Sequence, residues 1–225
     1  MLLASPLLLV DQRIRQQIVP GLISYAVGTL LGVAMLALVP EALESLSAPA
    51  ALGALLAGIL TFFMLEKLVL WRHCHTTDCD AHDTSAPLIL VGGALHNLTD
   101  GAIIGAAVLT SVPLGVTTAL AVAAHQIPQE VSDYAILLDA GYSRTRAFAL
   151  NALSASTCAL GALAVWGAAG STPLALPYVL AFAAGSFLYV AMSDLIPGLH
   201  RDPVDVGAVR QVVLIAAGIG TIVLL

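Results

Sequence analysis

Apolar positions in this chain come in runs too long and too unbroken for the half-buried helices of a soluble protein: about 20–43, 49–70, 86–110, 114–138, 146–168, 174–198 and 206–225. A helix crosses a hydrocarbon core with roughly 20 such residues. The pattern therefore predicts an all-α fold: a polytopic transmembrane helix bundle of seven full spans, in a single domain over 1–225. Leu2 to Val10 is apolar too, but its run of about nine residues is only half a crossing, and it reads as the short N-terminal remnant of an eighth span. A signal-peptide core is the alternative. No basic segment precedes it, however, and Asp11, Arg13 and Arg15 follow where a small-residue cleavage site would stand.

Composition agrees with a membrane solvent. Hydrophobic residues make up 59% of the 225, charged residues 10%, and the mean hydropathy is +0.97, against about 45–50% apolar and 25% charged in soluble domains. The basic residues add orientation. Arg13, Arg15, Lys67, Arg72, Arg144, Arg146, Arg201 and Arg210 all fall at or beside alternate connections, and the connections near 45–50, 110–114 and 169–176 carry none. Basic loops face the cytoplasm, so a multi-pass protein of the cell (cytoplasmic) membrane is expected, with its C-terminus outside. The net charge of -6 says little about partners, because several of the acids lie within spans. No basic patch for nucleic acid is present, so the expected partners are the lipid bilayer and small ions, with a homodimer left open. One lysine against seven arginines in an alanine-rich chain suggests a GC-rich bacterial source.

The longest polar stretch is the connection 72–87, a single cytoplasmic loop rich in His, Cys and Asp. His73, Cys74, His75, Cys79 and His82 in it are candidates to capture a metal ion, although such tracts bind metals readily as plain solvated tethers. Cytosolic thiols stay reduced, so no disulfide framework is implied. Elsewhere, "AVGTLLGVAMLALVP" at 26–40 aligns with "AAGSFLYVAMSDLIP" at 183–197, sharing Ala26, Gly28, Leu31, Val33, Ala34, Met35, Leu38 and Pro40 with the second copy. The two spans run in opposite senses through the membrane. Inverted repeats of this kind mark secondary transporters, with substrate sites near the bilayer midplane.

Two adjacent spans carry polar residues where lipid-compatible ones would be expected. His96 and Asp100 are four apart and share a helix face with Asn97 beside them; His125, Gln129 and Asp133 form a second such row, flanked by Gln126 and Glu130. Ionisable groups at this depth cost several kcal/mol unless paired or hydrated, and point by default to an ion pathway. Imidazole, carboxylate and amide oxygen together suit a divalent transition metal. Binding through neutral imidazole and ionised carboxylate weakens as pH falls. Pro128 lacks a backbone donor and its ring crowds the Ala124 carbonyl, which would free an oxygen next to His125 if the helix broke there. Interhelical hydrogen-bond glue is the plain alternative for any single one of these residues.

These residues resemble the ZIP family of divalent-metal transporters over nearly the whole chain. "HNLTDG" at 96–101 resembles that family's HNxxDG signature, "HQIPQEVSDYAILL" at 125–138 its HEIPHEVGDFAILL pattern, and "GSFLYVAMSDLIP" at 185–197 its seventh helix. The resemblance implies eight helices, inverted three-helix repeats around two central metal-binding helices, and a principal metal site of His96, Asp100, His125 and Gln129. Asn97, Gln126 and Glu130 would then lie at or beside a neighbouring site. The chain departs from the pattern at Gln126 and Gln129, which replace ligands, at Ala37 in place of a histidine, and at Gly198 in place of a glutamate. Fewer anionic ligands lead us to expect one well-held metal and a weak or absent second. Asp194 stands at the repeat position of Ala37, where it could face the site and supply the lost charge or pair with Arg201 as a plain ion pair; the structural role is the expected one.

The function so implied is uptake of a divalent transition metal into the cytoplasm by alternating access, zinc first, with iron, manganese or cadmium as further substrates. A non-transporting membrane metal sensor and an intramembrane zinc hydrolase remain as competing readings. The hydrolase is disfavoured by the absence of an H-E-x-x-H pattern, so no enzymatic activity is expected.

Overall fold

The computed structural model describes residues 12–71, 85–168, 175–199 and 206–225, and is helical almost throughout. Helix α1 (Gln12–Gly32) passes through a π-helical segment, Val33–Leu38, into α2 (Val39–Ser45), forming one rod. Helices α3 (Ala48–Trp71), α4 (Ser85–Thr110), α5 (Val112–Asp139) and α6 (Arg144–Ala168) follow. Helix α7 (Leu176–Tyr189) continues through a second π segment, Val190–Leu195, into α8 (Ile196–Leu199), and α9 (Val206–Leu224) ends the chain. Among the described residues there are thus seven rods. Five are long and apolar enough to cross a membrane by length and composition: Ile18–Ser45, Ala48–Lys67, Arg144–Ala168, Leu176–Leu199 and Gly207–Leu224. The other two, α4 and α5, hold the histidines and carboxylates; at 26 and 28 residues they extend about 39 and 42 Å. The molecule is a polytopic membrane bundle. Leu2 to Val10, Arg201 and the loop candidates His73, Cys74, His75, Cys79 and His82 lie outside the described residues.

Burial separates the inner rods from the outer ones. Over their apolar 18-residue stretches, the spans 18–45 and 176–199 are 56% and 50% buried, whereas those of α3, α6 and α9 are 17%, 17% and 11% buried. Side chains such as Leu153, Leu160, Trp166, Val209 and Val223 are exposed, as a lipid-facing surface requires. Within the bundle the main apolar cluster gathers Leu38, Ala42, Ala51, Ala106, Ala107, Leu114, Ala121, Leu180 and Ala184. These come from the end of the first rod, the starts of α3, α5 and α7, and the end of α4, and the same cluster continues to Phe62, Phe187, Val190 and Ala191.

The internal repeat has a structural counterpart. Both π segments fall at equivalent positions of the aligned copies, each ending two residues before a repeat proline, Pro40 or Pro197. Val39 N–H donates to the Ala34 carbonyl and Ile196 N–H to that of Ala191, five residues back in each case. Proline cannot donate, and its ring crowds the carbonyl four residues earlier; a widened turn relieves that crowding. Thr29 Oγ1 bonds the Ala26 carbonyl at 2.9 Å and Ser186 Oγ the Ala183 carbonyl at 2.7 Å, again in register. Helix α5, by contrast, stays α-helical through Pro128, and no broken helix frees a carbonyl beside His125. A single missing donor is tolerated inside a bundle whose neighbours can satisfy the freed carbonyl.

The partners of the two copies also match. A methyl at Gly28 would overlap the Ile215 carbonyl of α9, and one at Gly185 the Leu55 carbonyl of α3; Gly218 meets Tyr25 and Gly58 meets Phe182 in the same reciprocal way. Gly28→Ala and Gly185→Ala are each expected to cost about 1–3 kcal/mol by overpacking, whereas Gly53→Ala, with open space around it, should be neutral. Thermal melts in detergent would check this. Three indistinguishable melting curves would show that these crossings are not tight.

Candidate metal centre

Helix α4 is set in place by α6. Thr157 Oγ1 donates to the Ala94 carbonyl at 2.7 Å, Ser154 Oγ to the Leu90 carbonyl at 3.4 Å, and Gly101 and Gly161 bring the two backbones together. Asn151 Nδ2 reaches from α6 to the Glu130 carbonyl of α5 at 2.9 Å. Helix α5 begins after a one-residue connection, where Ser111 caps it by accepting from Leu114 N–H and Pro113 opens the first turn. The two polar helix faces are thereby fixed against each other by α6 and by a short connection.

Between them, His96, Asp100 and His125 converge. His96 Nε2 lies 3.3 Å from His125 Nε2 and 3.5 Å from Asp100 Oδ2, and His125 Nε2 lies 3.2 Å from the same oxygen. Asp100 and His125 are 1% exposed, His96 13%. Metal bonds of about 2.0–2.1 Å place the corners of a tetrahedron roughly 3.3 Å apart. The three atoms therefore already outline one triangular face of such a shell. Polarity points the same way: His125 Nδ1 lies 3.2 Å from the Ala121 carbonyl, and since a carbonyl only accepts, a neutral ring carries its proton there and turns the Nε2 lone pair towards the cluster. Two acceptors 3.2 Å apart favour a cation beside them.

The remaining candidates are placed differently from one another. Gln126 Nε2 donates to Asp100 Oδ2 at 2.6 Å, so this residue adjoins the principal cluster. Asn97 is turned away from it, donating to the Gly93 carbonyl at 2.8 Å and hydrogen-bonding the Glu130 side chain. Glu130 is buried. Gln129 sits on the wall of a cavity of about 290 Å³ together with His96, Phe62, Glu66, Tyr189 and Asp194. A second cavity of about 570 Å³ shares Glu66, Gln129 and Asp194 and continues past Ser132, Asp133 and Gly198. Asp194 thus lines the route beside His96; Arg201, its expected ion-pair partner, lies outside the described residues. Sequence reasoning missed Glu66 and Tyr189, whose side chains hydrogen-bond each other across the first cavity. The signal was present in Glu66, a carboxylate late in an otherwise apolar span.

The chain resembles known proteins over most of its length. Residues 70–225 match the family described as Zip, ZIP zinc transporter. Zinc transporter ZIP13 of Pongo abelii is 35% identical over 219 residues, covering 90% of this chain and 65% of that protein. Zinc transporter ZIP13 of Homo sapiens is 32% identical over 257 residues, covering 90% and 69%. Zinc transporter YKE4 of Saccharomyces cerevisiae is 29% identical over 215 residues, covering 82% and 62%. The chain thus spans about two thirds of the length of these relatives.

Proposed function

Because the chain belongs to the ZIP zinc transporter family, we propose that it moves divalent transition metal, zinc first, into the cytoplasm by alternating access, with His96, Asp100 and His125 as the transport site. Members of this family are transporters and not enzymes, so the hydrolase reading is set aside. The observation that carries the proposal is the triangle of three ligand atoms on two adjacent helices, opening through His96 onto a water-sized route.

The route gives the site one accessible side. Its cavities reach the late parts of α3, α5 and α8, which adjoin Arg72, Arg144 and Arg201, the side read as cytoplasmic. Away from the route, the end of the first rod, the end of α4 and the starts of α3, α5 and α7 are filled by apolar side chains of the main cluster, such as Leu38, Ala42, Ala51, Leu114 and Leu180. Such an arrangement is what an inward-facing transporter presents. Glu66, Asp133 and Asp194 around the route supply the oxygen-rich lining that favours cations over anions. The two copies of the repeat support a rocking motion between states: Leu38 of one π segment is buried in the apolar cluster, while Asp194 and Leu195 of the other line the route. In an inverted-repeat transporter the two copies exchange these roles.

Gln129, Asn97 and Glu130 are assigned supporting places around this site, and the loop residues His73, Cys74, His75, Cys79 and His82 the capture of released metal. The test is zinc flux into liposomes loaded with a fluorescent zinc indicator. Flux by the protein and none by His96→Ala is expected. Stoichiometric zinc binding without flux would instead favour the sensor reading.

A further inference from the structure

Each imidazole of the triangle packs against a phenyl ring that comes from outside the α4 and α5 pair. Phe62 of α3 meets His96 in a T-shaped contact, with centroids 6.0 Å apart and planes at 74°; Phe187 of α7 meets His125 in the same way, at 6.0 Å and 64°. Both separations fall in the range where such rings attract. Both phenylalanines are buried and belong to the main apolar cluster. A close helix crossing sets their places: Gly58 of α3 lies against the Phe182 carbonyl of α7, and Gly185 of α7 against the Leu55 carbonyl of α3. Gly58 precedes Phe62 by one turn, and Gly185 stands two residues before Phe187. The two rings are thus carried by a tightly joined helix pair that supplies none of the three ligand atoms.

We propose that Phe62 and Phe187 form a dry wall that limits the bound ion to four ligands and so decides which divalent cations the site accepts. This rests on the transport site just described. The cavity of about 290 Å³ meets the triangle through His96 and has Phe62 on its wall, whereas Asp100 and His125 are 1% exposed. Phe62 therefore stands where the wet route ends and the apolar cluster begins. Three protein atoms and one water from the route complete a four-coordinate shell. Further ligands would have to be further waters, and the rings take up space beside both imidazoles while offering water no hydrogen-bond partner. Zinc accepts four ligands, and cobalt(II) does so too, but manganese and magnesium favour octahedral oxygen shells. An apolar surround that controls solvent access to a metal site therefore discriminates by ligand number. Neither ring touches the ion. Both act as specificity-determining residues through the water they exclude.

The measurement is the visible absorption and affinity of Co²⁺, with Mn²⁺ as competitor, on the purified full chain in nanodiscs. Four-coordinate cobalt(II) absorbs strongly and six-coordinate weakly, and the parent protein is expected to give the strong spectrum. Phe62→Ala opens the wall beside the cavity, so its spectrum should weaken and its preference for Co²⁺ over Mn²⁺ should fall about tenfold or more, the scale of effects typical around a metal site. Phe62→Leu keeps the space apolar and filled, and should retain both properties. Leu137→Ala controls for lost stability, because it empties a fully buried position in the separate cluster around Ala147; it should move neither readout. An unchanged spectrum and preference in Phe62→Ala, or the same change in Phe62→Leu or Leu137→Ala, would overturn the wall. So would a weak, six-coordinate spectrum from the parent, which decides the matter even where a variant fails to fold. A cobalt spectrum that survives His96→Ala would instead overturn the transport site itself, and this inference with it.

Discussion

Asp100→Asn is expected to abolish zinc flux and to lower zinc affinity at least 100-fold, more than the roughly 10–100-fold that loss of an outer-shell partner brings, while leaving the protein folded. Asp100 is the single carboxylate of the triangle, and three side chains point at its Oδ2: His96, His125 and Gln126. Asparagine keeps the volume and the hydrogen-bonding capacity, and its amide could even donate to the unsatisfied Gln126 oxygen. What it removes is the negative charge. Without it, two neutral imidazoles and an amide face a dication that must shed water in a buried site, where every lost charge interaction counts more than it does in bulk solvent. Isothermal titration with zinc, beside the liposome assay, would measure the change. Near-parental flux by Asp100→Asn would remove this aspartate, and the triangle built on it, from the route.

The second large effect concerns the scaffold. Gly101→Val and Gly161→Val are expected to prevent assembly of the α4–α6 pair, seen as loss of monodisperse protein on extraction. A side chain at Gly101 would start on the Cys158 carbonyl, and one at Gly161 on the Leu98 carbonyl and the Ala102 backbone nitrogen. Both obstacles are backbone atoms of a helix held by Thr157 and Ser154, so no side-chain rotation relieves them. Small residues are what let membrane helices approach this closely, since lipid supplies no hydrophobic drive to press them together. The overlap, at two or three backbone atoms per site, exceeds the ordinary overpacking cost of about 1–3 kcal/mol. Even where some protein survives, moving α4 by a helix-surface atom would shift His96 and Asp100 relative to His125 and spoil the triangle. Recovery of well-behaved, zinc-binding Gly161→Val protein would show that α6 does not fix α4 in the way described.

The membrane-helical class was legible because burial in lipid demands long apolar runs with internally bonded backbone, and such runs are local in sequence. So were the repeat, through residues such as Val33, Met35 and Pro40, and the transporter family, through "HNLTDG" and "HQIPQE". Proline even encoded the π turns before Pro40 and Pro197, although its effect at Pro128 could not be told in advance, since whether a missing hydrogen bond breaks a helix depends on what packs beside it. The sequence by itself determined which side chains sit on the polar faces of α4 and α5. Only the tertiary structure decided which of them meet. His96, Asp100 and His125 converge because α6 and the Ser111 turn fix the distance and rotation of two helices; those same quantities turn Asn97 towards its own backbone, bring Gln126 onto Asp100, and swing Asp194 and Glu66 to the route. Helical spacing dictates the angle of a side chain around its own axis, but a metal shell is measured between axes, to within tenths of an ångström, and that distance is set by packing alone.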